Sequence, residues 1–157
     1  GMIGEVAIKS ESNMLGYWGN DEATSDCMND EGWFKSGDMG KFDGPFLHIV
    51  DRIKDMVIRG GENIACPEVE NAIYKHPDVL EACVFGIPDE RLGELLCASI
   101  FLKDNSTLNE ETLKEFLVDK LAAFKIPAII KFSKKNLPLV ASGKFNKPKL
   151  REKFMNM

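Results

Sequence analysis

Two near-continuous apolar runs limit what this chain can fold into more than any other feature of its sequence. They are residues 79–87 (VLEACVFGI) and residues 95–102 (LLCASIFL). Such runs are typical of strands that are buried on both faces or covered by helices. Helical patterns stand on either side: Pro67 opens one helix, and Leu113 and Leu117 belong to the apolar stripe of another. The sequence therefore predicts helices packed on a small sheet.

From residue 56 onward the predicted order of elements is β-α-β-β-α-β-α. A short strand at residues 56–58 leads to the Gly60-Gly61 pair, which indicates a hairpin turn because glycine adopts positive φ without a Cβ clash. Thr107 and Glu110 together indicate a capping box, and residues 147–154 a short terminal helix. The predicted fold class is α+β, with a small three-stranded sheet and packed helices.

The first third of the chain is predicted to be β-rich. Strands are expected at residues 3–8 and 46–50, and residues 10–32 are expected to form a loop with one helical turn near residues 22–28. Residues 32–43 are interpreted as a short strand, a Ser-Gly-Asp turn and a second extended piece. A sheet of two or three strands without a covering layer is only marginally stable.

This contrast predicts the domain organisation. Residues 1–52 are interpreted as a β-rich part and residues 53–157 as an α+β part. Gly1 before Met2 resembles the remnant of a cleaved tag, so we expect a piece of a longer protein. Cut from its neighbours, the first part would expose apolar faces, and we expect it to be partly disordered or to self-associate.

Composition argues against several functional classes. The net charge of −5 disfavours a nucleic-acid partner, because phosphate binding requires concentrated Lys and Arg. No apolar run approaches the roughly 20 residues that span a bilayer, so no transmembrane segment is predicted. No C-x-x-C pair occurs, and His48 and His76 lack ligand spacing, so no metal site is predicted. The four cysteines are interpreted as buried thiols in a reducing compartment, the cytoplasm: Cys27, Cys66, Cys83 and Cys97.

Two charged residues on expected turns could carry chemistry. Lys144 follows Ser142-Gly143, and a lysine on such a turn can bring its ammonium to a phosphate or a carboxylate. The alternative is an ordinary surface lysine. Asp38 could accept hydrogen bonds from the two hydroxyls of a ribose, or it could cap its own backbone in a turn.

Two further features are equally open. Arg52 could donate to a sugar or a phosphate, or it could pair with Asp51 or Asp55. The Gly60-Gly61 pair could let a ligand pass close to the backbone, or it could be a plain hairpin turn.

Read together, eight short motifs resemble the C-terminal part of the adenylate-forming (AMP-binding) superfamily, most like an acyl-CoA synthetase. That superfamily also includes peptide-synthetase adenylation domains and beetle luciferases. The motifs cover nearly the whole chain in the family's order: GYW at 16–18, GWFKSGD at 32–38, DRIKD at 51–55, GGENI at 60–64 with PEVE at 67–70, HPDV at 76–79, GIPDE at 86–90, GE at 93–94 and SGK at 142–144.

The resemblance implies a role for each candidate residue. Asp38 holds the ribose hydroxyls of ATP, and Arg52 contacts the same nucleotide. The first part, residues 1–52, is the end of a larger N-terminal domain, and Lys54 is the hinge about which the second part, a mobile C-terminal domain, turns. The Gly60-Gly61 pair binds coenzyme A, with Gly61 lining the pantetheine tunnel. Lys144 bridges the substrate carboxylate and the α-phosphate during adenylation. The implied cofactors are ATP, with Mg in the full-length enzyme, and coenzyme A.

The resemblance implies an AMP-forming acyl-CoA synthetase that acts on a carboxylic acid. Asn63, at a position where some members carry an arginine, resembles the fatty-acid type of synthetase. The triphosphate loop and the acyl pocket of that family are absent from this sequence, so the piece alone is expected to be inactive. It would meet its acid substrate, ATP and coenzyme A through the missing N-terminal domain. Two alternatives stay open: a peptide-synthetase adenylation domain, and a non-catalytic α+β ligand-binding or interaction domain.

Overall fold

The computed structural model describes residues 2–156, which divide into two compact units, one up to Lys54 and one from Asp55. The helices and strands in chain order are β1 (Gly4–Ile8), α1 (Asp21–Cys27), β2 (Phe34–Asp43), β3 (Phe46–Arg52), β4 (Val57–Arg59), β5 (Glu62–Ile64), α2 (Cys66–Tyr74), β6 (Val79–Asp89), β7 (Gly93–Leu102), α3 (Glu110–Val118), β8 (Ile129–Ser133) and α4 (Lys147–Met155). Short 3-10 turns lie at Ile53–Asp55 and Ala123–Lys125.

The first unit is built on an antiparallel sheet in the order β1-β2-β3. The turn predicted at Ser36-Gly37-Asp38 is wrong, since β2 runs through these residues without a break. A bulge takes its place: the register against β1 shifts between Glu5 and Ala7, and Gly37 has a φ of 74°. Glycine accommodates that backbone at low cost, which explains why a turn-like sequence stands inside a strand.

The second unit contains a five-stranded sheet, which corrects the predicted number of three strands. The three strands of the predicted sheet are present as β6, β7 and β8. The short strand predicted separately at residues 56–58 is present as β4, and β4 and β5 of the Gly60-Gly61 hairpin also join this sheet. The hairpin joins the sheet where Arg59 pairs with Gly93, and the N–H of Gly60 donates to the carbonyl of Leu92 at 2.8 Å. β8 runs parallel to β7 because α3 lies in the connection between them. The α+β class is confirmed.

Both faces of this sheet are buried, as the two apolar runs predict. Alternate residues of β6 point to opposite faces of the sheet: Val84 belongs to the core under α2 and α3, whereas Cys83 and Phe85 belong to the core under α4. The ring of Phe85 meets that of Phe154 edge-on, with centroids 5.0 Å apart. Aromatic pairs of this geometry favour a fixed orientation. The chain between Phe132 and α4 is therefore anchored on a rigid sheet.

The helices α2 and α4 begin where the sequence predicts, whereas the cap of α3 differs from the prediction. Pro67 lies in the first turn of α2, and α4 begins at Lys147, both as predicted. The capping box predicted at Thr107 and Glu110 is wrong. The side chain of Asn109 accepts from the N–H of Thr112 at 3.0 Å, and the Thr112 hydroxyl accepts from the N–H of Asn109. Both patterns satisfy the free N–H groups at a helix start, and asparagine does so better than threonine.

Candidate functional site

Lys144 lies on an exposed β-turn at the tip of a short hairpin. Leu139 and Phe145 pair across the hairpin, and the N–H of Val140 donates to the carbonyl of Lys144 at 2.8 Å. Gly143 closes the turn with a φ of 81°, and its N–H donates to the carbonyl of Val140 at 2.9 Å. The backbone at the lysine is thus fixed by hydrogen bonds, while the side chain is exposed.

The residues that follow Lys144 tie the hairpin to the core. Phe145 packs against the cluster under α4. Asn146 caps α4, because its side chain accepts from the N–H of Lys149 at 3.0 Å, and its own N–H donates to the carbonyl of Pro138 at 2.7 Å. A flexible cationic side chain on a rigid mount suits the delivery of a positive charge to a fixed point.

Lys147, three residues beyond the exposed Lys144, is half-buried. Burial is the largest influence on its pKa and lowers it, but negative groups outweigh burial and hold the pKa above its ordinary value of 10.5. Those groups are Cys66, Glu70, Cys83 and Asp55. At neutral pH the carboxylates supply that charge, so Lys147 stays an ammonium that links the start of α4 to the neighbourhood of α2.

The glycine pair predicted to bind coenzyme A forms the turn of the β4–β5 hairpin. Both Gly60 and Gly61 have positive φ, 59° and 85°, as a two-residue hairpin turn of this type requires. A Cβ on Gly61 would meet nothing within 4 Å. The backbone conformation alone therefore explains the glycines, and the open space above Gly61 leaves room for a ligand to approach.

Glu94 fixes the position of this hairpin, a role that sequence reasoning missed. Its Oε2 accepts from the N–H of Ile58 at 2.7 Å. Its Oε1 lies 2.6 Å from the position that a Cβ on Gly86 would occupy, so a side chain at residue 86 would displace this carboxylate. The GE and GIP motifs in the sequence pointed to these residues, but nothing in the sequence showed that they meet each other.

In the first unit, the structure brings the two predicted nucleotide residues together. Asp38 and Arg52 are paired across β2 and β3, and Arg52 Nε lies 3.4 Å from Asp38 Oδ1. Both side chains remain more than a third exposed, 37% for Asp38 and 48% for Arg52. The Arg52 side chain thus pairs with Asp38 and not with Asp51 or Asp55, the alternative partners that the sequence left open. The buried Asp51 carboxylate accepts instead from the backbone N–H of Arg52.

Lys54, the predicted hinge, lies in the short 3-10 turn that ends the first unit. Its side chain is exposed. The structure thus brings Asp38 and Arg52 together in the first unit, and it places Gly60, Gly61 and Lys144 on two separate turns of the second.

The cysteines are all free thiols. Cys66, Cys83 and Cys97 are buried, as predicted, whereas Cys27 is only half-buried in α1. Burial raises the pKa of Cys83 and that of Cys97 to about 12, so neither is a thiolate at neutral pH. Among residues 2–156, no three His, Cys, Asp or Glu side chains are grouped so as to hold a metal ion. None of the helices in that range is long and apolar enough to cross a membrane.

Curated relatives match the chain along nearly all of its length. It is 45% identical over 152 residues to the rat protein "Medium-chain acyl-CoA ligase ACSF2, mitochondrial", covering 96% of this chain and 25% of that protein. It is 42% identical over 155 residues to a feruloyl-CoA synthase from an Amycolatopsis species, covering 98% of this chain and 31% of that protein. The chain thus spans about a quarter to a third of the length of these relatives.

Solved structures of related enzymes share the fold of this chain along nearly all of its length. An ATP-bound RpMatB-BxBclM chimera superposes with a TM-score of 0.91 at 37% identity, covering 100% of this chain and 32% of the other. The amide bond synthetase McbA from Marinactinospora thermotolerans superposes with a TM-score of 0.87 at 35% identity, covering 98% and 32%.

The family match falls on the second unit. Residues 68–144 match the family described as "AMP-binding enzyme C-terminal domain". That segment begins in α2 and ends at Lys144. The chain therefore belongs to the C-terminal part of the adenylate-forming, AMP-binding enzymes.

Proposed function

We propose that this chain is the C-terminal part of an AMP-forming acyl-CoA synthetase. The whole enzyme would activate a carboxylic acid, of the fatty-acid type, with ATP and then transfer the acyl group to coenzyme A. The observation that carries the proposal is the exposed ammonium of Lys144 on a hydrogen-bonded hairpin, at the position that the sequence resemblance assigns to the adenylation lysine. Names of relatives, an acyl-CoA ligase and a CoA synthase, support the same reaction class.

The chemistry explains why a lysine on such a mount is useful. When a carboxylate attacks the α-phosphate of ATP, two anions approach each other, and a fixed cation between them stabilises the transition state. Asp38 would hold the ribose hydroxyls and Arg52 would contact the same nucleotide, since their exposed side chains leave the carboxylate and the guanidinium accessible. Their pairing would keep the carboxylate oriented before ATP arrives.

The second half-reaction needs a thiol to reach the acyl carbonyl. We propose that the second unit turns about Lys54 between the two steps, so that the Gly60-Gly61 hairpin lines the path of the pantetheine arm. The division of the chain beside Lys54 and the open space above Gly61 support this assignment. Rotation of a rigid domain about a few residues is a common way of serving two geometries with one active site.

An amide synthetase is the second candidate, favoured by the similarity to McbA. Both reactions pass through an acyl-adenylate and differ in the nucleophile, a thiol in one and an amine in the other. The test uses the whole enzyme with ATP and a series of carboxylic acids, offering coenzyme A or an amine. We expect AMP and an acyl-CoA thioester. Amide formation without any thioester would contradict the assignment, and ADP in place of AMP would reject the adenylate chemistry altogether.

Localisation in the cytoplasm stays a proposal that rests on the four free thiols.

A further inference from the structure

A basic cavity lies between β8, the loop that follows it and α4. Its volume is about 490 Å³. Four lysines line it, with no aspartate or glutamate among the lining residues: Lys131, Lys135, Lys149 and Lys153. In a chain with a net charge of −5, four cations around one cavity form a concentrated positive site.

Three of these ammonium groups have no partner in the described part of the chain. The side chains of Lys135, Lys149 and Lys153 make no hydrogen bond or ion pair with any residue in the range 2–156. Lys149 and Lys153 lie four residues apart on α4, a spacing at which like charges destabilise a helix. Both side chains are exposed, and a bound anion would reduce their repulsion.

Glu81, a carboxylate bonded to the loop that lines the cavity, is already engaged. It accepts from Asn136 Nδ2 at 2.7 Å and from the N–H of Leu137 at 2.6 Å, and so holds the loop that borders the cavity. Lys131 takes a different arrangement from the other lysines, with its ammonium 4.1 Å from the centroid of the Phe154 ring. That contact orients the Lys131 side chain along one wall.

Ser99 adds an independent sign of a ligand. It is one of the lining residues and is only 5% exposed, on a strand of the central sheet. Its hydroxyl makes no hydrogen bond to the described residues. It is not fully enclosed either, because the only fully enclosed side-chain N or O atom without a partner among the described residues is Arg59 Nε. The Ser99 hydroxyl therefore keeps its accessible surface towards the cavity. Buried hydroxyls normally bond to protein, water or ligand, so the Ser99 hydroxyl is available to donate to a polar ligand in the cavity.

From this arrangement we propose that the cavity binds a phosphate-bearing small molecule. The phosphate oxygens contact Lys135, Lys149 and Lys153, and one of them accepts from the Ser99 hydroxyl. Lysines bind phosphate as point charges from several directions, whereas arginines favour flat, two-point recognition of carboxylates. The volume suits a ligand larger than orthophosphate, since small-molecule sites typically measure about 300–1,000 Å³.

The test measures binding of inorganic pyrophosphate to the 157-residue chain by isothermal titration calorimetry at constant ionic strength. We expect one saturable site. The double variant Lys149→Gln/Lys153→Gln should weaken binding at least about tenfold, because two charged contacts are lost. Ser99→Ala should weaken it about two- to tenfold, the effect of one hydrogen bond.

A matched control removes two other exposed lysines that have no part in the cavity. Lys75→Gln/Lys103→Gln changes the net charge by the same amount and should leave pyrophosphate binding unchanged. Equal losses in the two double variants would reduce the effect to general electrostatics and overturn the proposal. So would unchanged binding in Ser99→Ala, or no saturable binding to the unmodified chain.

Two further arms identify the chemistry of the ligand. AMP tests whether an organic group accompanies the phosphate: tighter binding of AMP supports a nucleotide, and tighter binding of pyrophosphate supports a compact diphosphate. Citrate carries a comparable negative charge on carboxylates. Citrate binding as tight as that of pyrophosphate would contradict recognition of phosphate.

Discussion

Arg52 stands directly opposite Asp38 in the first sheet, with its Nε 3.4 Å from Asp38 Oδ1. Two half-exposed charges on neighbouring strands contribute little to folding, because exposed ion pairs are worth about 0–1 kcal/mol. The pairing is therefore better explained by what the two side chains present to a ligand than by what they add to stability.

Replacing Asp38 tests this explanation in the whole enzyme. Asp38→Ala should raise the KM for ATP about ten- to a hundredfold, because hydrogen bonds to a charged acceptor are worth about 1.5–3 kcal/mol. The melting temperature should change little. Steady-state kinetics and thermal unfolding give the two readouts. The control is Asp43→Ala, an exposed aspartate at the end of the same strand. A change in ATP affinity of the same size in both variants would contradict the ribose assignment.

Replacing Gly61 tests the role of the glycine hairpin. Gly61→Ala places a Cβ at a φ of 85°, which costs stability by roughly 1 kcal/mol. It should also raise the KM for coenzyme A while leaving acyl-adenylate formation unchanged. Gly44→Ala is the matched control, since Gly44 also has positive φ and open space around its Cβ. If both variants lose stability alike and neither affects coenzyme A, Gly61 serves the turn alone.

The buried thiols predict how the stability of the chain depends on pH. Cys83 is 0% exposed, and burial raises its pKa from 9.0 to about 12. Above pH 9 the unfolded state loses a proton that the folded state keeps, so the free energy of unfolding falls. The decline at Cys83 should reach about 1 kcal/mol by pH 10. Urea denaturation at pH 8 and pH 10 measures it, and Cys83→Ala should remove that part of the decline. An identical decline in the variant would show that other groups cause it.

The first unit predicts self-association of this piece. Its sheet exposes Phe42 (63%), Leu47 (43%) and Ile49 (56%). Exposed apolar groups of this kind mark contact surfaces. We expect the sedimentation coefficient to rise with protein concentration, and Leu47→Glu/Ile49→Glu to abolish that rise. Ile58→Glu, on a half-exposed residue of the second unit, should leave it intact. A particle of 17.6 kDa at every concentration would contradict this prediction.

Much of the second unit was predictable because its signals are local. The runs at residues 79–87 and 95–102 became β6 and β7, and Pro67 lies in the first turn of its helix. The glycine pair became the turn of a hairpin as predicted. The number of strands was not predictable in the same way, because the hairpin joins the sheet through Glu94 and Gly93, which lie some thirty residues further along the chain.

The candidate site shows the same division. Motifs named Asp38, Arg52 and Lys144, yet no local pattern showed that Asp38 and Arg52 would pair. Nothing in the sequence indicated that Lys147 is half-buried or that Ser99 lines a basic cavity. These properties arise when separate elements pack together, as β7, β8 and α4 do. The N-cap of α3 is Asn109 and not Thr107, and the sequence offers several polar residues within three positions that could cap this helix.

The most direct test of the central claim is Lys144→Ala in the whole enzyme, with the two half-reactions measured separately. Release of pyrophosphate from ATP and the acid should slow about 10²- to 10³-fold, the usual effect of removing one group that stabilises transition-state charge. Thioester formation from supplied acyl-adenylate and coenzyme A should proceed almost unchanged. Lys134→Ala, at another exposed lysine, should affect neither step. Equal loss of both half-reactions in Lys144→Ala, or full retention of the first, would contradict the account.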